Sequence, residues 1–133
     1  MRVEVYVDGA SRGNPGPAGV GGVILSCGRE VRRFKRFIGY ATNNEAEYHA
    51  LLTALKLAME MGARRVVVKS DSELLVKQLR GEYRVRKNNL TPLYDKVMQL
   101  LRNFEEFEIR HVSREENKTA DRLANEAVDR GLK

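Results

Sequence analysis

Four carboxylates stand where structural duties explain them poorly: Asp8, Glu47, Asp71 and Asp121. Asp8 follows a run in which Val3, Val5 and Val7 alternate with Arg2, Glu4 and Tyr6, and it precedes a segment crowded with Gly9, Gly13, Pro15, Gly16, Pro17 and Gly19. It therefore ends a period-two strand at the start of a breaker-rich turn. Asp71 closes the strand that contains Val66-Val67-Val68 and comes just before a helical stretch. Ligands of open α/β sheets gather beyond the carboxyl ends of strands, so both acids are well placed for a site. Each also has a structural explanation, since Asp-Gly is common turn chemistry and Asp71 is able to cap its helix.

Glu47 is the most informative of the four. On the helix expected over 43–61, Glu47, Ala50, Leu51, Ala54, Ala58 and Met61 fall along one stripe, the one that should face a sheet. The helix dipole accounts for an acid anywhere in the first turn but not for one on the buried face. Burying an unpaired charge is costly, so Glu47 needs a partner, preferably a cation. Asp121 lies in the first turn of the last helix, on the border of its apolar stripe, where the dipole is again an alternative explanation. Glu45, three residues after Thr42, has the spacing of a capping box and is read as structural.

Carboxylates drawn together from segments this distant repel one another unless divalent cations lie between them. One cysteine, Cys27, and two histidines exclude an internal disulfide and leave no sulfur–imidazole set. Hard, oxygen-liganded Mg²⁺ or Mn²⁺ is the chemistry that remains. Two such ions ~3.5–4 Å apart form the clamp used for in-line phosphodiester hydrolysis. The rest of the chain is basic: 24 Lys and Arg against 18 Asp and Glu give a net charge of +6. The surplus is concentrated in Arg29, Arg32, Arg33, Lys35 and Arg36, and in Lys77, Arg80, Arg84, Arg86 and Lys87. Such clusters are equally well read as solvated faces, but they make a polyanion a plausible partner. A basic chain with an acidic, metal-binding pocket suggests a nuclease.

The elements that must position these groups follow from periodicity. Strands are expected over 2–8, 20–26 and 31–40, the last two joined as a hairpin around Cys27-Gly28-Arg29. Helix 43–61 ends at Gly62, strand 64–70 follows, and helix 71–80 stops at Gly81. A polar loop over 82–89 leads into helix 90–103, with Pro92 in its first turn. Strand 106–112 alternates Phe107, Ile109 and His111 with Glu106, Glu108 and Arg110. Helix 118–130 is capped by Asn117. The order β-β-β-α-β-α-α-β-α predicts an α/β fold with one five-stranded mixed sheet, three antiparallel strands and then parallel ones, flanked by helices. At 133 residues the chain is read as a single domain over 1–133. No apolar run reaches membrane-spanning length, no signal peptide precedes the first strand, and a cytoplasmic setting is expected.

Four motifs carry a family resemblance that covers nearly the whole chain, in order. They are Asp8-Gly9-Ala10-Ser11-Arg12-Gly13-Asn14-Pro15-Gly16-Pro17, then Thr42-Asn43-Asn44 with Glu47, then Ser70-Asp71-Ser72, then Glu116-Asn117 with Asp121 and Leu123-Ala124. Together they resemble type 1 ribonuclease H. The resemblance implies the ribonuclease H-like fold and metal-dependent cutting of the RNA strand of RNA–DNA hybrids, leaving 3′-hydroxyl and 5′-phosphate ends. It implies catalytic and metal-binding roles for Asp8, Glu47, Asp71 and Asp121, with two ions per site when substrate is bound. By position, Asn14, Asn43 and Asn44 match residues that read bases and 2′-hydroxyls in the minor groove, and Thr42 matches a contact to a DNA phosphate. Amide side chains both donate and accept, and the 2′-hydroxyl is what distinguishes RNA from DNA.

Three departures stand out. The segment Gly81 to Asn89 is too short for the extra helix and basic loop of many bacterial relatives, and no separate hybrid-binding domain is expected. The family often places a histidine in the loop before its last aspartate to help product leave. Here His111 belongs to a strand end, while Arg114 lies in that loop, so Arg114 is assigned the role. The expected partner is an RNA–DNA hybrid duplex, with no membrane and no obligate protein partner. The alternatives are a nuclease of the same fold acting on double-stranded RNA or DNA junctions, and a non-catalytic nucleic-acid-binding module.

Overall fold

The protein is described by a computed structural model covering residues 1–133. Its elements are β1 (Arg2–Ser11), β2 (Gly16–Ser26), β3 (Arg29–Ala41), α1 (Asn43–Glu60), β4 (Arg65–Ser70), α2 (Glu73–Leu79), α3 (Thr91–Arg102), β5 (Glu106–His111) and α4 (Lys118–Gly131). The sheet runs β3-β2-β1-β4-β5. β1, β2 and β3 pair antiparallel, while β4 lies parallel to β1 and β5 parallel to β4. The order of elements along the chain and the change of strand sense are those expected from the sequence.

The two faces of the sheet carry different helices. Val3, Val5 and Val7 of β1, Val20 and Ile24 of β2, and Val66 and Val68 of β4 form one core with α1, α2 and α3. Leu51 and Leu55 of α1 and Val97 and Leu101 of α3 are fully buried in it. Burial of a Leu or Val side chain contributes about 1.5–3 kcal/mol, so this layer is what holds α1 in place. On the opposite face α4 lies across β2 and β3, burying Ala120, Leu123, Ala124, Ala127 and Val128, the apolar stripe read from its sequence. No helix is long and apolar enough to cross a membrane.

The expected turn over 9–19 shrinks to Arg12–Pro15, with Gly9 to Ser11 completing β1 and Gly16 to Gly19 opening β2. The glycines of β2 serve packing instead. A Cβ at Gly19 or Gly21 would collide with the α4 backbone and with Ala127 or Leu123, so the bare strand is what lets α4 approach. Strand β5 alternates less cleanly than its sequence suggests, because it is the sheet's edge: Ile109 is buried, but Phe107 and His111 are exposed.

Candidate active site

Asp8 is not the last residue of its strand. The parallel pairing of β1 with β4 ends at Val7 opposite Ser70, and β1 continues on its antiparallel pairing with β2, Asp8 facing Gly21. Asp8 thus sits one residue beyond the point where its parallel neighbour stops. Asp71 is the first residue past the end of β4. It does not cap α2, because the Ser72 hydroxyl accepts the Leu75 N–H and takes that duty.

Helix α1 delivers Glu47. The capping box is present as the spacing requires: Thr42 Oγ1 accepts the Glu45 N–H and Glu45 Oε1 accepts the Thr42 N–H. With Thr42 as the cap, neither Asn43 nor Asn44 serves that purpose. Gly9 lets the first turn of α1 lie directly on β1, since a Cβ there would strike the Ala46–Glu47 backbone. The neighbouring Tyr48 hydroxyl donates to Gln78 Oε1 at 2.7 Å, tying the helix that carries Glu47 to the one that follows Asp71.

These constraints bring three acids from separate elements together. Asp8, Glu47 and Asp71 each offer one oxygen, and these oxygens lie within 4.8 Å of one another. Asp121, exposed in the first turn of α4, lines the same cavity of about 310 Å³, together with Ser11, Asn43 and Arg114. Asp8 and Glu47 are each only 8% exposed, and neither makes an ion pair to a basic side chain.

The electrostatics record this crowding. Burial first, and then the charges of Asp71, Asp121 and Glu47, raise the Asp8 carboxyl from 3.8 to about 8. Asp121 is near enough to share a hydrogen bond with Asp8 when one of them is protonated. Burial raises Glu47 from 4.5 to about 7; a hydrogen bond from Ser72 opposes the rise and the Asp71 charge adds to it. Asp71 is raised by burial, while the Arg114 guanidinium pulls it back down. The partner that Glu47 requires is thus not a side-chain cation; its neighbours are two more acids. An oxygen-only donor set that repels itself fits a hard divalent cation, Mg²⁺ or Mn²⁺.

The other sequence candidates divide by position. Asn14 Oδ1 accepts the Asn43 N–H at 3.0 Å, joining the loop after β1 to the first residue of α1. Ser11 Oγ reinforces the junction by donating to Ala41 O at 2.8 Å. Thr42 Oγ1 accepts from the Glu45 N–H, and its hydroxyl also favours the ionised Glu45 carboxylate. Asn44 is half-buried beside them and is not among the residues lining the cavity. Arg114 lines the cavity, whereas His111 does not; it is exposed at the end of β5, opposite Ser70, and has no side-chain hydrogen bond to satisfy it.

Asn117 departs from its expected role. It makes no cap hydrogen bond; its side chain is 1% exposed and donates through Nδ2 to Val7 O at 2.9 Å, beside Asp8. The amide also favours the ionised carboxylate of Asp71. Asn at a helix start reads as a cap, and a partner 110 residues away leaves no local trace in the sequence.

The sheet order, with acids from β1, α1, the β4–α2 junction and α4 around one cavity, defines the ribonuclease H-like class of folds. Residues 6–127 match a family model described as reverse transcriptase-like. Ribonuclease HI of Halobacterium salinarum is 46% identical over 129 residues, 96% of this chain. The crystal structure of RNase H1 from that archaeon superposes with a TM-score of 0.95 at 45% identity, covering 98% of this chain and 99% of that one. LC11-RNase H1 in complex with an RNA/DNA hybrid gives 0.93 at 38% identity, covering 98% and 99%. This chain belongs to the reverse transcriptase-like family, in its type 1 ribonuclease H branch. It spans 65% of the Halobacterium relative's length and 36% of a bifunctional protein of Mycobacterium tuberculosis that is 41% identical.

Proposed function

We propose that this protein is a metal-dependent endonuclease that hydrolyses the RNA strand of RNA–DNA hybrids. The observation that carries the reading is the convergence of buried Asp8 and Glu47 with half-buried Asp71, their oxygens within 4.8 Å, in a mutually repelling set. Relatives called ribonuclease HI and RNase H1, one of them solved with an RNA/DNA hybrid, support the choice of substrate.

In this reading Asp8, Glu47, Asp71 and Asp121 hold Mg²⁺ or Mn²⁺. Two such ions, with substrate in place, supply activation of water and stabilisation of the leaving 3′ oxygen, so the products carry 3′-hydroxyl and 5′-phosphate ends. Asn14, Asn43 and Asn44 face the minor groove, where their amides donate to base acceptors and recognise the 2′-hydroxyls of the RNA strand. Thr42 contacts a phosphate of the DNA strand. Asn117 braces β1 through Val7 O and favours the ionised form of Asp71. Arg114 cannot lose its proton near neutral pH, so it acts as a fixed positive charge beside the phosphate and the departing product.

Cleavage of three labelled duplexes, with Mg²⁺ and with EDTA, tests the reading. The hybrid is cut on its RNA strand with Mg²⁺ only, and double-stranded RNA and DNA stay intact. Binding of the hybrid without any metal-dependent cutting would establish a non-catalytic module instead. The Arg114 assignment is tested by single-turnover and steady-state rates. Arg114→Ala lowers kcat, by at most the roughly 10²–10³-fold of losing one electrostatic donor, and His111→Ala changes it little. The opposite ranking transfers the role to His111.

A further inference from the structure

A second cavity, of about 300 Å³ and mixed polar and apolar lining, lies between β3, α1 and α3. Arg36 enters it from β3, Lys56 from α1 and Lys96 from α3, with His49 and Thr53 beside them and leucines filling the rest of the lining. None of these three basic side chains belongs to an ion pair. Elsewhere the basic clusters are partly neutralised: Arg33 by Glu30, Lys35 by Glu126, Lys77 by Glu73. Of the acids on α1, Glu45 already accepts the Thr42 N–H at 2.7 Å, and Glu60, one turn beyond Lys56, forms no ion pair and is not part of the lining. Arg36 leans over the cavity through Nη2 to Thr53 Oγ1 at 3.4 Å, while Thr53 donates to His49 O at 2.9 Å. Three positive charges from three elements, converging without an acid among them, describe an anion site.

We propose that this cavity binds a backbone phosphate of the same duplex that the acidic site cuts, away from the scissile position. The inference rests on the function proposed above. Lys56 follows Glu47 by nine residues, about 13–14 Å along the helix axis. With about 10–12 Å across the helix added, the sites lie about 17 Å apart, which a duplex covers in about five nucleotides at a rise of about 3.4 Å. The stripe of α1 that carries His49, Thr53 and Lys56 lies opposite the sheet-facing stripe that carries Glu47, so the two sites do not share ligands. The cavity thus supplies grip that the short 81–89 segment has little room to provide.

The test compares the parent with Lys56→Gln/Lys96→Gln and, independently, with Arg36→Gln. Unfolding temperatures close to the parent's certify the fold of each variant. On a hybrid of about 18 base pairs, each variant raises KM by about three- to tenfold and leaves kcat unchanged. The slope of log affinity against log salt falls by about one for each phosphate that is no longer neutralised. On a hybrid too short to reach the cavity, parent and variants have equal KM. Unchanged KM and salt slope on the long hybrid, with the parent cutting normally, overturn the cavity assignment and leave the proposed function standing. Stabilisation of the parent alone by inorganic phosphate, with KM unmoved, makes the cavity a free-anion site and also overturns the duplex assignment. A parent that neither binds nor cuts hybrid overturns both proposals.

Discussion

Replacing Asp8 by Asn abolishes hydrolysis of the hybrid, to below about one-thousandth of the parent rate, and makes the metal-free protein more stable. The first effect follows from the placement of Asp8 between Glu47 and Asp71, where removing one anionic ligand forfeits several kcal/mol of charge stabilisation. The second follows from burial of the carboxyl first and from repulsion by its acidic neighbours after that. With its carboxyl raised to about 8, Asp8 costs the folded state free energy at neutral pH that the neutral amide does not. After discounting for coupling and water access, the variant gains about 1–3 kcal/mol, a rise of several degrees in Tm. Rates with Mg²⁺ and thermal unfolding in EDTA check the two halves separately. A large loss of stability in EDTA would make Asp8 a structural residue and remove the basis for the site.

Metal-free protein loses stability as pH rises from about 4 to about 8, and Mg²⁺ removes that loss. Below the ordinary values of 3.8 and 4.5, Asp8 and Glu47 are protonated in folded and unfolded chains alike and carry no penalty. Between those values and the folded-state values of about 8 and about 7, the unfolded chain releases protons that the folded chain retains. The unfolded state therefore binds fewer protons, and stability falls with pH across this window. Glu4 and Glu45 are held below the usual carboxylate range and work in the opposite sense, gaining stability as pH rises towards about 4.5. The informative quantity is thus the difference between parent and Asp8→Asn, which is near zero at about pH 4 and largest at about pH 8. A cation that binds only the folded chain adds RT ln(1 + [ion]/Kd), so saturating Mg²⁺ raises the parent's Tm more at about pH 8 than at about pH 5. A parent-minus-variant difference independent of pH would contradict the crowded-carboxylate account.

The chain order of the elements, the change of strand sense and the gathering of four acids at one cavity were legible because each leaves a local signal. Period-two alternation marks Val3, Val5 and Val7, and a carboxylate on the buried stripe of α1 stands out against its alanines and leucines. Boundaries were less legible where tertiary contacts override local chemistry. Gly16 and Gly19 read as turn residues, yet they lie in β2, and the bare backbone at Gly19 and Gly21 admits α4. Asp8 reads as a strand end because the breakers begin after it, whereas pairing with β2 carries the strand three residues further. Asn117 is the clearest omission. Its cap-like position is genuine, but its partner Val7 is at the other end of the chain, and only folding shows that the amide braces the strand bearing Asp8. The cavity formed by Arg36, Lys56 and Lys96 is hidden in the same way. In sequence Arg36 belongs to one charge run and Lys56 and Lys96 to none, and their convergence is a product of packing α1 and α3 beside β3.

Anomalous scattering from crystals soaked in Mn²⁺ addresses the carboxylate cluster most directly. The expected result is a peak bounded by oxygens of Asp8, Glu47 and Asp71, at coordination distances of about 2.1–2.2 Å, that disappears in Asp8→Asn. Manganese bound elsewhere, with those three side chains empty in a protein that still cuts the hybrid, would contradict it.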